Sequence, residues 1–228
     1  MRRNRLQRRY FCARHGLLGS STRRAAKPIS AQNRSLSALT WCVQGTSSGF
    51  PLHHHNVFFG DDYPSEFDAL FRQRNIVSAP TVYVCAQDRT TGDADLESSP
   101  APERLLVLIN APADGDVNPF TSERIDELAE NTFGLMRDCG LVIETDSMQP
   151  VVTSPSGFNS LFPATGGALY GRANHGSMAS FARPGAASDV PGLYLAGGSV
   201  HPGAGVPMTT LSGRLAAAKV IEDFGKRA

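Results

Sequence analysis

The stretch Gly192-Leu-Tyr-Leu-Ala-Gly-Gly-Ser-Val-His-Pro-Gly-Ala-Gly-Val-Pro-Met208 reads as a short apolar strand, a glycine-rich turn and the start of a helix. Gly192 to Ala196 is a brief apolar run bounded by glycine and proline, the pattern of a buried strand. Gly197 and Gly198 end it and let the chain turn without the steric cost of a Cβ. His201 is the polar side chain of the loop that follows, and Pro207 suits a first helical position. From Met208 onward, Leu211, Leu215, Ala218 and Ile221 recur at helical spacing.

A helix start of this kind leaves backbone N–H groups facing a glycine-lined space, where an electron-rich group is stabilised. No Lys or Arg occurs from Pro184 to Gly213, and no Gly-Lys-Ser/Thr follows the glycines, so a phosphate fits poorly. A flat, weakly charged acceptor such as the carbonyl edge of a flavin ring fits better. On the glycines alone, a plain strand–turn–helix crossover packed tightly by its glycines stays open beside that reading.

The run Leu193 to Pro207, followed by Leu211-Ser-Gly-Arg-Leu-Ala216, resembles the C-terminal flavin-binding signature of the carotenoid desaturases, the phytoene-desaturase-like FAD enzymes. Gly166-Gly-Ala-Leu-Tyr-Gly-Arg172 and Met178-Ala-Ser-Phe-Ala-Arg-Pro184 resemble the same family. Within it, the sequence is most similar to 1-hydroxycarotenoid 3,4-desaturases, also called methoxyneurosporene dehydrogenases. The resemblance implies FAD as cofactor and a carotenoid as substrate. It places Gly197, Gly198, His201, Pro202, Gly203, Gly205, Val206 and Pro207 in the flavin-contacting loop. Met208 and Thr209 would add amides of the helix start, and His201 is an acid/base candidate or a packing residue against the ring. Peripheral membrane contact, at the cytoplasmic face, is expected with such a substrate.

Bulk properties narrow the alternatives. The 228 residues carry a formal charge of +1 and an ordinary soluble composition, and no apolar run approaches the length of a membrane span. The charge is uneven: 10 of the 22 basic residues precede Ser35, and no acid precedes Asp61. The remainder is therefore acidic, which argues against a nucleic-acid partner. Cys12, Cys42, Cys85 and Cys139 are scattered without a Cys-x-x-Cys, so neither a zinc site nor a redox pair is expected.

Taken in order, residues 1–34 form a basic, Arg/Ser-rich segment, expected to be disordered. A transit peptide, a lipid-attracted arm and sequence from a wrong start or shifted frame are the competing readings, and the third is favoured because the family resemblance begins abruptly near Arg34. Leu52 to Phe59 reads as a strand. His53 and His55 would share one of its faces, but no third ligand follows at a plausible spacing, and no metal is expected. Asp62 to Arg72 reads as a helix with Phe67, Leu70 and Phe71 buried. Thr81–Ala86 and Arg104–Ile109 read as an antiparallel pair, Thr121–Cys139 as a helix capped by Gly140, and Leu141–Thr145 as a further strand. Pro150 to Pro163 reads as irregular connection, and Gly166 to Gly171 as a turn.

The expected class is α+β: part of a two-domain FAD/NAD(P)-binding flavoprotein, with a mixed sheet carrying helices on one face plus the last strand, loop and helix of the flavin domain. Residues 35–165 would form a partial substrate domain and 166–228 the end of the FAD-binding domain. The ADP half of FAD is held in such enzymes by a βαβ unit with Gly-x-Gly-x-x-Gly and an acid about 20 residues on. No such unit occurs in these 228 residues. The chain therefore reads as the C-terminal portion of a desaturase that removes hydride from a hydroxycarotenoid. An inactive remnant, one chain of a split enzyme whose partner supplies the dinucleotide-binding half, and a non-catalytic polyene- or membrane-binding module stand as alternatives.

Overall fold

The computed structural model describes residues 15–17, 19–27, 29–90, 101–145, 149–173 and 179–225. Its centre is a six-stranded sheet in the order β2-β3-β4-β1-β5, with β6 also pairing β1. The strands are β1 (Ser37–Ser48), β2 (His55–Phe58), β3 (Val82–Ala86), β4 (Glu103–Ala111), β5 (Val142–Thr145) and β6 (Val151–Thr153). Every pairing among them is antiparallel, which corrects the expected mixed sheet. Hairpin-like returns need no crossover helix, and the long polar link between β3 and β4 is such a return.

The sheet has two unlike faces. Leu39, Trp41 and Val43 of β1 stand opposite Ile109, Val107 and Leu105 of β4. Those in turn stand opposite Val82, Val84 and Ala86 of β3, and all of these residues are buried in one core. Two helices cover this face: α1 (Tyr63–Asp68), continued by a π-helical turn at Ala69–Gln73, and α2 (Ser122–Asp138). The helices on one face are thus as expected. On the other face lie the rows Thr40–Leu108–Tyr83–Val57 and Cys42–Leu106–Cys85–His55. That face is only partly covered, with Val57 49% exposed.

Local chemistry sets the helix ends. The Asp62 carboxylate accepts from the Ser65 N–H and caps α1, with proline in its first turn. The Thr121 hydroxyl does the same for α2 through the Arg124 N–H, and Gly140 leaves the helix at φ 90. Leu128, Thr132 and Met136 are buried along α2, and Trp41 meets Phe133 edge to face at 6.0 Å. The stripe expected on α1 is shifted. Leu70 is buried, but Phe67 faces outward in a row with Phe59 and Tyr63, and Glu66 takes the inner position, accepting from the Thr81 N–H at 3.0 Å. Pro150 to Pro163 is also more regular than expected, holding β6 and a short helix, α3 (Pro155–Leu161).

The segment expected to be disordered is ordered over much of its second half. Ser20–Ala25 and Ala31–Asn33 are 3-10 turns, and residues 1–14 lie outside the described residues. Ala26 is buried with Leu195 and Val200, with Ile29 packed against them, in a second small core. Apolar burial therefore overrides the segment's basic composition. The Arg34 guanidinium forks onto both oxygens of Asp116, each at 2.8 Å, and also donates to the Ala113 carbonyl. Gly166 sits against these groups at φ 62, and a Cβ there would collide with the guanidinium and the Ala113 carbonyl. Gly166→Ala is expected to cost about 2 kcal/mol of stability, read from urea unfolding. An unchanged midpoint would contradict the packing described.

The Arg34 contact holds the Asp116 carboxyl below its ordinary 3.8. A carboxyl lowered on folding contributes stability that is present in full above 3.8 and lost as the pH falls through its folded value. Asp116→Asn is therefore expected to lower stability near neutrality and to flatten the acid limb of the urea midpoint against pH. An acid limb identical to that of the parent protein would show that the pair contributes nothing.

At the C-terminal end, Gly192 to Ala196 is not a strand. Among the described residues its ladder pairing is an isolated bridge, Ala187 to Tyr194, with the Leu195 N–H donating to Ala186. A strand needs neighbours, and none of the six strands lies beside it. The final helix, α4 (Val206–Gly225), starts one residue before Pro207. Its buried residues are Ser212 and Ala216, whereas Leu211, Leu215 and Ile221 are exposed, so the expected stripe is not the one that packs here.

Candidate functional site

Gly197, Gly198, His201, Pro202, Gly203, Gly205, Val206, Pro207, Met208 and Thr209 lie together as one loop and the first turn of α4. The loop takes its shape from glycine. Gly197, Gly203 and Gly205 have φ of 117, 140 and 98, a region costly to a side-chain-bearing residue. A Cβ on Gly197 or Gly205 would meet no heavy atom within 4 Å. The backbone thus borders open space at both glycines, at the mouth of a helix whose first amides are unpaired by its own geometry.

The loop is stitched to the helix it precedes. The Gly197 N–H donates to the Ser212 hydroxyl at 3.2 Å, Val200 N–H donates to Gly197, and Thr209 N–H donates to Gly205. A Cβ on Gly198 would lie 3.5 Å from both Ala204 and the Thr209 hydroxyl, which shows how closely the turn passes the helix. His201 is half-buried; its N–H donates to the Pro184 carbonyl at 2.8 Å, and its ring stacks on Phe181 at 5.7 Å.

Arg183 is the anchor that the sequence reading did not single out, although it lies within Met178-Ala-Ser-Phe-Ala-Arg-Pro184. It is buried and donates to three carbonyls: Tyr170 at 2.9 Å, Gly198 at 2.8 Å and Arg172 at 2.9 Å. It thereby ties the Gly166–Arg172 turn to the Gly197–Gly198 turn. Burial pushes its guanidinium below the ordinary arginine range. Ser212, fully buried, is the second missed residue, and it too lies within a quoted motif. Beside the loop opens a cleft of about 450 Å³ that includes Lys27, Ile29, Arg172, Phe181 and Arg183 in its lining.

Chemically, the loop offers backbone donors and no lysine or arginine from 184 to 213, next to exposed apolar surface at Val206 (82% exposed) and Met208. That donor set fits the polar edge of a flat, largely apolar ring. It does not resemble a phosphate cradle with a basic side chain.

The chain's similarities agree with this chemistry. A family model described as flavin containing amine oxidoreductase matches residues 60–221. A hydroxyneurosporene desaturase of Rubrivivax gelatinosus is 57% identical over 202 residues, 89% of this chain and 38% of that protein. A hydroxyneurosporene desaturase of Cereibacter sphaeroides is 41% identical over 93% of this chain and 41% of its own length. A 1-hydroxycarotenoid 3,4-desaturase of a Flavobacterium species is 33% identical over 82% of this chain and 38% of its length. The chain spans about two fifths of the length of these relatives. The Cereibacter match also reaches into residues before Arg34, where the resemblance was expected to begin. The cofactor of the matched family is a flavin, and the match takes in the loop and most of α4. The protein belongs to the flavin containing amine oxidoreductase family.

Proposed function

We propose that this chain supplies the flavin-ring side and part of the substrate-binding side of an FAD-dependent desaturase acting on a hydroxylated carotenoid. The loop from Gly197 to Thr209 carries the reading, because its left-handed glycines border open space at a helix start that offers backbone donors and no Lys or Arg of its own, the neighbouring Arg183 being engaged by backbone carbonyls. The activities for which the relatives are named supply the substrate class. When bound, the flavin supplies the hydride acceptor. Gly197, Gly198, Gly203 and Gly205 let the backbone approach the ring, and Val206 and Met208 present amides of the first helical turn, whereas the Thr209 amide is paired with the Gly205 carbonyl and Thr209 lines the turn. Pro202 and Pro207 stiffen the loop. His201 is the candidate proton carrier, and its stack on Phe181 supports a positioning role for it.

The larger core, which lies within residues 35–165, supports the proposed division of the chain. Residues 35–165 hold the sheet core and correspond to part of a substrate domain, and 166–228 correspond to the end of the FAD-binding domain. Leu106, Leu108 and Val57 give the partly covered sheet face apolar area that suits a polyene. No helix among the described residues is long and apolar enough to cross a membrane. The outward row of Phe59, Tyr63 and Phe67 supports peripheral contact with a membrane at its cytoplasmic face. The exposed apolar residues of α4 suit a dinucleotide-binding half, joined in the same chain or supplied by another.

The test is conversion of hydroxyneurosporene. Co-expressing the chain with the part of the Rubrivivax relative that it does not match should yield product with a longer conjugated system and red-shifted absorbance. The 228-residue chain alone should give none. Turnover by the chain alone would refute the need for a second half, and a soluble complex that leaves the carotenoid unchanged would refute the desaturase reading.

A further inference from the structure

The run His53-His54-His55 finds its missing ligand across the sheet. β2 pairs antiparallel with β3, and His55 stands directly opposite Cys85. One ligand atom from each of His54, His55 and Cys85 lies within 4.8 Å of the other two. The Cys85 thiol is 3.7 Å from His54 Nε2. A tetrahedral zinc ion with bonds of about 2.3 Å to sulfur and about 2.0 Å to nitrogen holds those two atoms about 3.5 Å apart. The observed thiol–imidazole contact is therefore within about 0.2 Å of the separation of two ligands of one ion.

The surroundings prepare the rings as a metal site would. His54 Nδ1 lies 2.9 Å from the Arg89 carbonyl. A carbonyl only accepts, so Nδ1 carries the proton and Nε2, the atom facing Cys85, keeps its lone pair. Such a carbonyl partner is the usual orienting contact behind a metal-bound imidazole. His55 Nδ1 lies 2.7 Å from the Tyr83 hydroxyl, and the two rings stack at 6.0 Å. His54 and His55 also contact each other, edge to face at 4.4 Å. Cys85 is 9% exposed, His54 half-buried and His55 exposed, so the cluster has a largely closed floor and an open mouth.

We propose that His54, His55 and Cys85 bind a divalent zinc ion, with the fourth position open to water. Two imidazoles and one thiolate form a borderline-soft donor set that favours zinc over magnesium or calcium. The site does not depend on the flavin reading, because none of its residues belongs to the 197–209 loop.

The test titrates the chelator-stripped 228-residue chain with Zn2+ against a chromophoric chelator, and in parallel with Co2+. One zinc per chain and a thiolate-to-cobalt charge-transfer band are expected. Cys85→Ser should abolish the band and weaken zinc by about 100-fold or more, and His55→Gln should weaken it by about tenfold or more. Cys42→Ser and Cys139→Ser should change neither readout. If Cys85→Ser does not fold by circular dichroism, the exposed His55→Gln variant carries the test. Absence of the band in the parent chain, or zinc affinity unchanged by Cys85→Ser or His55→Gln, would overturn the proposal.

Discussion

Replacing Arg89 by methionine is expected to cost about 3–5 kcal/mol of folding stability. Arg89 Nε and Nη2 meet the two oxygens of Glu103, each at 2.9 Å. Nη2 also donates to Ser47 at 2.9 Å, and Nη1 donates to the Leu52 carbonyl at 2.8 Å. Both charged side chains are about 5% exposed, so water replaces neither partner. The cluster ties β1, β4 and the link into β2 at one corner of the sheet. Without the guanidinium, the Glu103 carboxylate stays buried beside one hydroxyl, the Ser47 donor at 2.5 Å. The double variant Arg89→Met with Glu103→Gln should lose less than the Arg89 variant alone, because no unpaired charge remains. Urea unfolding followed by far-UV circular dichroism measures both. A loss below about 1 kcal/mol for Arg89→Met would place the pair with exposed ones, against the burial observed.

The second large effect falls on the loop. Arg183→Met should cost about 3 kcal/mol, since three carbonyls lose a charged donor and the two glycine turns are no longer tied. It should also weaken flavin retention more than tenfold in the complex with the dinucleotide-binding half. Arg183→Lys should not rescue it: an ammonium is a point charge and lacks the planar fork that reaches Tyr170, Arg172 and Gly198 together. Equal flavin retention by the Met variant would detach the anchor from the site.

Several elements were legible from sequence because local rules and tertiary context agree in them. α2 has a threonine cap, a helical apolar face and a terminal glycine, and it forms within one residue of its expected ends. β3 and β4 alternate or run apolar and pair as expected. The central strand β1 is not legible as a strand in the sequence. Its alternation of Leu39, Trp41 and Val43 is present, but Gly45, Ser47 and Ser48 blur it, and burial of Ser47 depends on Arg89 from a distant loop. The buried Glu66 was equally hidden, because its partner is the Thr81 backbone. The terminal strand was overread for the opposite reason: Gly192 to Ala196 carries a strand's composition, yet no strand lies beside it to pair with.

The candidate site shows the same division. Its loop glycines were readable because turns at positive φ demand glycine. Arg183 and Ser212 were not, because what they do is bind backbone atoms that come near only in the fold. The zinc ligands divide in the same way. The histidine run is visible in sequence, but Cys85 joins it only through the β2–β3 register.

The most direct test of the flavin reading is the FAD absorbance retained after gel filtration of the chain's complex with the dinucleotide-binding half of a relative. One FAD per complex is expected with the native loop. With Gly205→Val, whose side chain would project from φ 98 into the open space, retention should weaken by about tenfold or more. A folded complex that holds no FAD, or one that holds it equally well with Gly205→Val, would contradict the assignment of this loop to the flavin.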